Sequence, residues 1–464
     1  MSDIGLRRAQ EKMAAAGVHQ QAIDVFSHYY RQLEEGVTGV IPEDSIAPLE
    51  NPDLIESVAV SDEDARAALG QSVMIKLNGG LGTSMGMDRA KSLLQVREGK
   101  TFLDLIVDQV RSARATYGVK LPLIFMNSFR THEDTLAALA PYDDLVVDGL
   151  DLDFLQNFEP KLLATDLTPV DWPQDPDLEW CPPGHGDLYT ALDTSGLLNH
   201  LLELGYRYAS VSNSDNLGAA PSATIAGWFA GSGAPYAAEI CRRTAADRKG
   251  GHLAIRKVDQ RLILRDTAQT AKGEMHHFTD EHRHPYFHTN NLWFDLAALA
   301  ATLRGRRSVL GLPLIRNEKT VDPSDPSSPA VIQIETAMGA AIEVFEGATA
   351  IGVGRERFLP VKTTNDLLLL RSDVYEVGPD GLLTKITDPA AMIDLDSAYY
   401  KTIGGFERRF PAGAPSLRSA TGLSVAGDWT FESNVTVIGA AALEDKGSPQ
   451  TVLAGTILGP GLTD

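Results

Sequence analysis

The chain of 464 residues is long enough for two or three domains with a large core, and its net charge of −21 at pH 7 is strongly acidic. This acidity argues against a nucleic-acid-binding protein, which needs a basic face for the phosphate backbone. The two cysteines, Cys181 and Cys241, offer neither a zinc motif nor a disulfide framework. Because neither a signal peptide nor an apolar run of transmembrane length is evident, we expect a cytoplasmic protein that does not contact membranes.

The N-terminal part is predicted to be helical. Helix-forming residues with apolar spacing occupy positions 5–35, and the proline-rich segment IPEDSIAPLENP is typical of a connector. A short helix is expected from Ser61 to Leu69. We therefore assign residues 1–69 to an N-terminal helical segment with its connector.

Strand-length apolar runs then alternate with helical segments. The runs are SVMIKL, LPLIFMN, DLVVDG, RYASVSN and AAEICR. Between them, TFLDLIVDQVRSA predicts a helix with Thr101 as its N-cap and Asp104 at the capping-box position. This alternation predicts an α/β core with a mixed, mostly parallel sheet over residues 70–375.

The C-terminal residues 376–464 follow another pattern. Apolar residues recur there every six positions in two interleaved series, followed by a later pair: Leu423, Trp429 and Val435; Val425, Phe431 and Val437; Val452 and Leu458. A period near six, with glycines at corners, favours a small parallel β-helix. An antiparallel meander is the alternative.

The stretch LNGGLGTSMGMDRAKS, residues 77–92, contains the densest group of glycines that follows a strand. Gly80, Gly82 and Gly86 are spaced one residue too widely for a dinucleotide-binding fingerprint, and Lys91 comes too late for a P-loop. A strand, a glycine loop and a following cation can nevertheless hold an anion through backbone N–H groups. The alternative is a tight strand-to-helix turn without a ligand.

The segment CPPGHGDLYTAL places His185 between two glycines. Glycines allow close backbone approach and leave the imidazole free to donate to a phosphate or sugar oxygen. The alternative is an ordinary loop in which Asp187 caps the following helix.

The segment RYASVSNSDNLGA ends an apolar strand in Asn213, Asp215 and Asn216. Ligands of open α/β sheets bind beyond the carboxyl ends of strands, and a carboxylate there suits Mg²⁺. An Asx-rich turn is the alternative.

Two later segments each allow a ligand-binding and a structural interpretation. In YFHTNNLWFDL, Asn290 and Asn291 either bind sugar hydroxyls or cap a helix. In RFLPVKTTNDLLLL, Lys362 is either a solvated charge or, between apolar runs, held near the core where it needs an anion. The histidine-rich MHHFTDEHRHPYFH is predicted to be a surface loop.

Taken together and in order, these motifs resemble one family. LNGGLGTSMG with KS, FLQNF, PPGHGD, SNSDNLGA, TNNLW, VIQIETAMGAAI and FLPVKTTNDLLL are similar to segments of the eukaryotic-type UTP–glucose-1-phosphate uridylyltransferases, from about residue 70 to the C-terminus. The resemblance implies a Rossmann-like nucleotidyltransferase core and a C-terminal left-handed β-helix. It also implies a Mg²⁺-dependent enzyme of carbohydrate metabolism that converts UTP and glucose 1-phosphate to UDP-glucose and pyrophosphate.

The resemblance assigns roles to individual residues. Lys91 and Lys362 are the expected catalytic cations, and Asp215 is the expected Mg²⁺ ligand. The expected nucleotide-binding residues are Leu77, Asn78, Gly79, Gly80, Lys91, Gln156 (for uracil), Gly184, Asn213, Ser214, Asp215 and Lys362. The expected sugar-phosphate-binding residues are His185, Asp266 and Asn290.

Two positions depart from the family's usual motifs. Where the family often has KGPK, this chain has DRAK, so that Asp88 replaces a positive charge before Lys91. Where the family has a glutamate in LVEIAQ, this chain has Asp266 in LRDTAQ. The first departure bears on rate or pyrophosphate handling, and the second on which hexose fits best.

Three other interpretations compete with this activity. The closest is a broad UDP-sugar or UDP-N-acetylhexosamine pyrophosphorylase. A non-catalytic β-helix scaffold should have lost Lys91, Asp215 or Lys362, yet all three are present. An NAD-dependent oxidoreductase is disfavoured by the glycine spacing. We also expect self-association through the end of the β-helix.

Overall fold

The structure is a computed structural model that describes residues 2–244, 247, 250–387 and 391–460. Its helices are α1 (Ser2–Ala15), α2 (Gln20–Glu34), α3 (Asp62–Gly70), α4 (Phe102–Tyr117), α5 (His132–Leu139), α6 (Leu188–Thr194), α7 (Leu197–Glu203), α8 (Ala223–Ser232), α9 (Met275–Phe278), α10 (Leu296–Gly305), α11 (Thr364–Arg371), α12 (Ser397–Tyr400) and α13 (Ile403–Arg409). Short 3₁₀ turns occur between several of them.

The strands of the first 360 residues are β1 (Ile46–Pro48), β2 (Asp53–Leu54), β3 (Ser72–Leu77), β4 (Gln95–Arg97), β5 (Lys100–Thr101), β6 (Leu123–Asn127), β7 (Asp153–Leu155), β8 (Glu159–Pro160), β9 (Leu162–Leu163), β10 (Trp180–Cys181), β11 (Tyr208–Asn213), β12 (Tyr236–Arg242), β13 (His252–Arg256), β14 (Leu262–Arg265), β15 (Tyr286–Asp295), β16 (Ile315–Thr320), β17 (Ala330–Glu335) and β18 (Thr349–Gly352). The later strands are β19 (Tyr375–Val377), β20 (Leu383–Lys385), β21 (Met392–Leu395), β22 (Ser416–Val425), β23 (Trp429–Phe431), β24 (Thr436–Leu443), β25 (Gln450–Val452) and β26 (Ile457–Leu458).

The central sheet has the strand order β2-β18-β12-β15-β11-β3-β6-β7, with β13 joined to β15 and extended by β1 and β14. Its neighbours run parallel except where β15 meets β11, β12 and β13, and where β13 meets β1 and β14. The predicted mixed sheet is confirmed; parallel pairs prevail along the eight-strand order, whereas over all eleven strands parallel and antiparallel pairs are equally frequent. Of the predicted strands, DLVVDG is wrong, because residues 144–149 form turns and irregular backbone.

Apolar side chains cover both faces of this sheet. Val73 and Ile75 of β3 face the helices α6, α7 and α10, whereas Met74 between them faces α3, α4 and α8. A separate cluster packs α1 and α2 on Leu162 and Ile332 of the three-stranded sheet β16-β17-β9.

The N-terminal and connecting helices follow the sequence closely. The predicted helix over residues 5–35 is two helices, because the chain turns at Gly17, whose φ is +79°. Helix α3 begins after the N-cap Ser61, and the capping box of Thr101 and Asp104 at the start of α4 is confirmed. Within the described part of the chain, no helix has the length and apolar character needed to span a membrane.

The C-terminal strands pair in parallel, in the order β21-β22-β24-β26 and in the pair β23-β25. Thr430 pairs with Thr451 and Thr436 with Ile457, so the last coil spans 21 residues, whereas Leu423 pairs with Ala441 after 18. Of the residues in the predicted period, all but the half-buried Trp429 are buried. Parallel pairing excludes the antiparallel meander here. Positions 388–390 and 461–464 lie outside the described residues.

The topology brings three loops to one edge of the central sheet. In β11 and β3, Asn213 is paired with Leu77, and Leu77 is paired with Met126 of β6, so these parallel strands end together. The glycine-rich stretch and the segment after Asn213 therefore leave the sheet side by side.

Candidate active site

The glycine-rich stretch forms a compact loop after β3. Gly82 and Gly86 flank a 3₁₀ turn with φ of +67° and +68°, a conformation that side chains with a Cβ rarely adopt. The loop closes where the N–H of Lys91 donates to the carbonyl of Gly80 over 3.1 Å. The positive φ values therefore explain why these two positions are glycine. The loop places Lys91 at the edge of the sheet.

Lys91 joins three segments that are far apart in sequence. Its Nζ lies 2.7 Å from Oδ2 of Asp215 and also donates to the carbonyl oxygen of Val361. The N–H of Val361 in turn donates to the carbonyl of Asp215 over 3.3 Å. The glycine loop, the end of β11 and the segment that carries Lys362 thus meet at one point.

Asp215 has an open oxygen. Its Oδ2 is taken by Lys91, whereas Oδ1 is buried and has no hydrogen-bond partner among the described residues. A buried carboxylate oxygen without a partner is costly unless a ligand satisfies it. The Asx-turn alternative applies instead to the neighbouring Asn216, whose Oδ1 accepts from the N–H of Gly218.

Asn78 is fully occupied by protein. Its Nδ2 donates to Asn127 and Thr135 over 2.8 and 2.9 Å, and its Oδ1 accepts from the hydroxyl of Ser214 over 3.0 Å. The buried side chains of Asn78 and Ser214 therefore tie β3, β6, α5 and β11 together. The donors of both side chains are thus engaged within the protein.

Gly79 lies against Gln156. A Cβ on Gly79 would come within 2.8 Å of Oε1 of Gln156, so the amide packs directly on the glycine backbone. The N–H of Gln156 donates to the carbonyl of Asn127 over 2.8 Å, which anchors it beside β6. The structure thereby places Gln156 next to the glycine loop, and Gly80 beyond it is exposed.

The segment with His185 packs against the backbone that follows β17. Gly184 has φ +78°, and a Cβ there would lie 2.6 Å from the carbonyl oxygen of Thr336. Nδ1 of His185 accepts from the N–H of Met338 over 3.0 Å. Burial lowers the pKa of His185 to about 4, so the ring is neutral at pH 7 and carries its proton on Nε2. Asp187 does not cap α6 through its side chain, because it accepts from Asn157.

The paired asparagines have opposite environments. They lie within β15, and the N-cap of α10 is Asp295, so the capping alternative is wrong. Asn291 is buried and donates to Glu239 over 3.1 Å. Asn290 has φ +61° and is half buried, and its side chain lies beside His288.

His288 belongs to this site although its segment was predicted to be a surface loop. It is 7% exposed, and its Nδ1 accepts from the N–H of Asn290 over 2.9 Å. Burial and the nearby His185 lower the pKa of His288 to about 4. Its Nε2 is buried without a partner among the described residues. The surface prediction is also wrong for His284, which is fully buried.

A buried ion pair lies beneath the site. Arg357 and Glu239 make two hydrogen bonds of 3.0 and 2.7 Å, and Trp293 and Asn291 donate to the same carboxylate. Asn216 donates to the carbonyl of Arg357 over 3.1 Å. This network fixes the start of the segment that leads to Lys362, and the sequence motifs did not indicate it.

Lys76 is a second residue that the sequence analysis passed over. It is fully buried in β3 and donates to Ser212 and to the carbonyl of Ala219, both over 2.8 Å. Burial and the nearby Arg357 lower its pKa to about 7. The signal was a single lysine within an otherwise apolar strand.

Two predicted site residues have unexpected surroundings. Lys362 is exposed, so the expectation that it is held near the core is wrong; its N–H donates to Asp366, which caps α11 together with Thr363. Asp266 is half buried and caps the 3₁₀ turn Thr267–Gln269. Within the described part of the chain, no hydrogen bond or ion pair links Asp266 to Lys91 or Asp215.

Comparison with known proteins agrees with this arrangement. Residues 23–438 match the family model of UTP–glucose-1-phosphate uridylyltransferase. The enzyme of that name from Solanum tuberosum is 37% identical over 415 residues, covering 88% of this chain and 82% of the relative. The one from Hordeum vulgare is 36% identical over 461 residues, covering 95% and 92%.

Solved structures are similar over nearly the whole chain. A variant of the UDP-glucose pyrophosphorylase from Leishmania major in complex with UDP-glucose is 40% identical, with a TM-score of 0.91 and 98% of each chain covered. The UDP-glucose phosphorylase from Trypanosoma brucei is 41% identical, with a TM-score of 0.90 and the same coverage.

Proposed function

Because the chain belongs to the UTP–glucose-1-phosphate uridylyltransferase family, we propose that it transfers the uridylyl group of UTP to glucose 1-phosphate, giving UDP-glucose and pyrophosphate. The observation that carries this proposal is the contact of Lys91 with Asp215 and Val361. It gathers the glycine loop, a carboxylate and the Lys362 segment at the carboxyl edge of the sheet. This arrangement suits a reaction between two phosphate groups and disfavours the vestigial scaffold.

The reaction does not need a general base. The attacking phosphate of glucose 1-phosphate is largely ionised at pH 7, because the second pKa of a phosphate monoester is about 6. The obstacle is repulsion between two polyanions and the charge that develops in the in-line transition state. The residues of this site must therefore supply positive charge and hydrogen-bond donors.

The described side chains fit these requirements. Lys362 is exposed beside the cluster and free to contact the reacting phosphates, and Lys91 holds its charge at the glycine loop. The neutral His185 offers its Nε2–H as a donor to the sugar phosphate, and the half-buried amide of Asn290 suits hexose hydroxyls. We assign Gln156, packed on Gly79, to the uracil ring.

Asp215 is the residue that fits a Mg²⁺ ion. Its orphaned Oδ1 supplies one hard oxygen ligand, and Mg²⁺ typically takes one or two carboxylates, with phosphate and water oxygens completing its shell. Within the described residues no group of three or more His, Cys, Asp or Glu side chains gathers into an all-protein cage. When bound, Mg²⁺ would neutralise charge on the triphosphate.

A panel of sugar 1-phosphates tests the activity and its closest rival. The purified protein is supplied with UTP, Mg²⁺ and glucose, galactose or N-acetylglucosamine 1-phosphate, and pyrophosphate release is measured. We expect the highest kcat/KM with glucose 1-phosphate. Equal rates with all three sugars would favour the broad UDP-sugar pyrophosphorylase, and Asp266→Glu would then show whether the shorter carboxylate is responsible.

We further propose left-handed coils in the C-terminal β-helix and self-association through its last strands. Strand β26 is the edge of its sheet, and Leu453 and Ile457 are 64% and 50% exposed. Light scattering across a concentration series should detect a larger species that Ile457→Lys removes. A monomer at every concentration would contradict self-association.

The cytoplasmic location is also part of this proposal. Cys181 and Cys241 are both free and buried, which suits a reducing compartment. Cell fractionation with an antibody to the native protein would test it.

A further inference from the structure

The backbone of β15 bulges at Asn290. The register of β12 with β15 is interrupted there, so that residues 289–291 of β15 lie opposite one residue of β12, Glu239. Bulges of this kind occur next to active sites, where they redirect a side chain. The φ of Asn290 is +61°, in the left-handed region, which asparagine enters more readily than most residues but still at a cost in free energy. The conformation of Asn290 therefore needs support from its neighbours.

His288 supplies this support. Its Nδ1 accepts from the N–H of Asn290 over 2.9 Å, and the side chain of Asn290 also lies beside the ring. The acceptor comes two residues before the donor, which is the spacing of an Asx turn, in which an Asn or Asp oxygen accepts from the N–H two residues on. The imidazole of His288 thus closes a local turn around the bulge.

The imidazole of His288 is itself held in place. It packs directly on the backbone of Gly339, where a Cβ would lie 2.9 Å from its Cε1 and 3.0 Å from its Nε2. The preceding residue, Met338, donates its N–H to His185 over 3.0 Å, and its carbonyl accepts from the hydroxyl of Tyr189 over 2.8 Å. The proposed hexose contact and the proposed sugar-phosphate contact therefore share one backbone turn as their support.

We propose that His288 is a positioning residue for the hexose half of the substrate, because it holds Asn290 in the bulged, left-handed conformation from which the amide binds sugar hydroxyls. This inference rests on the proposed function, in which Asn290 contacts the hexose. It assigns His288 no contact of its own with substrate. A histidine with a purely structural role would affect stability without distinguishing glucose 1-phosphate from UTP.

A matched pair of variants separates the acceptor of His288 from its bulk. His288→Phe keeps a ring of similar size but has no acceptor, whereas His288→Asn loses the ring and supplies an oxygen with Asx-turn spacing. Steady-state kinetics on the full-length protein give kcat and both KM values. His288→Phe should raise KM for glucose 1-phosphate about 2- to 12-fold, the equivalent of one hydrogen bond, and leave KM for UTP unchanged. His288→Asn should recover most of this loss.

A double variant tests whether His288 acts through Asn290. Because both substitutions then remove the same hexose contact, His288→Phe combined with Asn290→Ala should raise KM for glucose 1-phosphate no further than Asn290→Ala alone. Amide hydrogen exchange, measured by mass spectrometry on a peptide spanning residues 286–292, follows the hydrogen bond without any need for turnover. Exchange in this peptide should be faster in His288→Phe than in the native chain, and slower again in His288→Asn.

A structural control completes the test. Leu299→Ala removes a fully buried side chain of α10 and should lower the melting temperature while leaving both KM values unchanged. Equal changes in both KM values of His288→Phe, additive effects in the double variant, or unchanged hydrogen exchange in His288→Phe would each overturn the inference. Absence of pyrophosphate release by the native chain would instead refute the proposed function, so the two failures are distinguishable.

Discussion

Two layers of the molecule contain nearly the same residue types and use them in opposite ways. At the carboxyl edge of the sheet, Asp215 has an unpaired oxygen and Lys362 is exposed. Directly beneath, Glu239 accepts four hydrogen bonds, two of them from Arg357. The polar groups of the upper layer are available to bind ligands. Those of the lower layer hydrogen-bond to one another and hold the loops in place.

This difference distinguishes residues that bind substrate from residues of the same type that stabilise the fold. A buried charge that is fully paired stabilises the geometry, because removing its partner leaves an expensive unpaired charge. A charge that is accessible and unpaired contributes little to stability and is available to substrate. Substitutions in the two layers should therefore separate stability from activity.

The largest expected effect is on stability, in the lower layer. Arg357→Ala leaves Glu239 buried without its countercharge and should lower the free energy of unfolding by about 3–5 kcal/mol. Urea denaturation followed by circular dichroism measures this change. Arg7→Ala is the matched control, since its ion pair with Glu11 is exposed on both sides and should contribute no more than about 1 kcal/mol. Equal losses in both variants would contradict the distinction.

The next effect is on turnover, in the upper layer. Lys362→Ala should lower kcat about 10²–10³-fold, by analogy with the loss of one group that stabilises developing charge. Because the side chain is exposed, the free energy of unfolding should change by less than about 0.5 kcal/mol. Unchanged steady-state turnover of the purified variant would refute its catalytic role.

Substituting the adjacent asparagines of β15 compares the two layers within one strand. Asn291→Ala should destabilise the protein by about 1–3 kcal/mol, because Glu239 and the carbonyl of Arg357 lose a buried donor. Asn290→Ala should leave stability nearly unchanged and raise KM for glucose 1-phosphate about 2- to 12-fold, the equivalent of one hydrogen bond. Thermal unfolding and steady-state kinetics on both variants measure the split. The reverse pattern would exchange their assignments.

The last expected effect is a pH dependence. The pKa of His288 is about 4 in the folded protein and near 6.5 when unfolded, so the unfolded state binds more protons between these values. Its contribution to stability is complete above pH 6.5 and is lost as the pH falls toward 4, by up to about 1.4 kcal/mol per pH unit.

Replacing the histidine checks this slope. Urea denaturation from pH 7 to pH 4 should show a shallower loss of stability in His288→Gln than in the native chain. His200→Gln, at an exposed position, serves as control and should keep the native slope. Identical slopes in both variants would contradict the buried, neutral state of His288.

Much of the fold followed from local pattern. SVMIKL is β3 to the residue, RYASVSN contains β11, and the six-residue period predicted parallel coils with a buried interior. DLVVDG failed because a short apolar run is equally compatible with a turn packed on the core. The contact of Lys91 with Asp215 was not predicted; the structure explains it, because the parallel strands β3 and β11 end at one edge of the sheet.

The site was predicted less completely. Lys76, His288 and the pair of Glu239 with Arg357 were missed, because their partners come from strands and loops distant in sequence. The proposed roles of Gln156, Asp266 and Asn290 stay predictions until substrates are tested. Asp266 caps a 3₁₀ turn in the structure, so its effect on hexose preference is left to experiment.

The sequence by itself determined the motif-bearing loops, four central strands and the family, because motifs and periodicity are properties of neighbouring residues. Only the tertiary structure decided which polar groups are open and which are satisfied. Asn290 and Asn291 are chemically identical and adjacent, and only their three-dimensional neighbours distinguish them. The physical reason is that burial and hydrogen bonding are set by elements that meet in space.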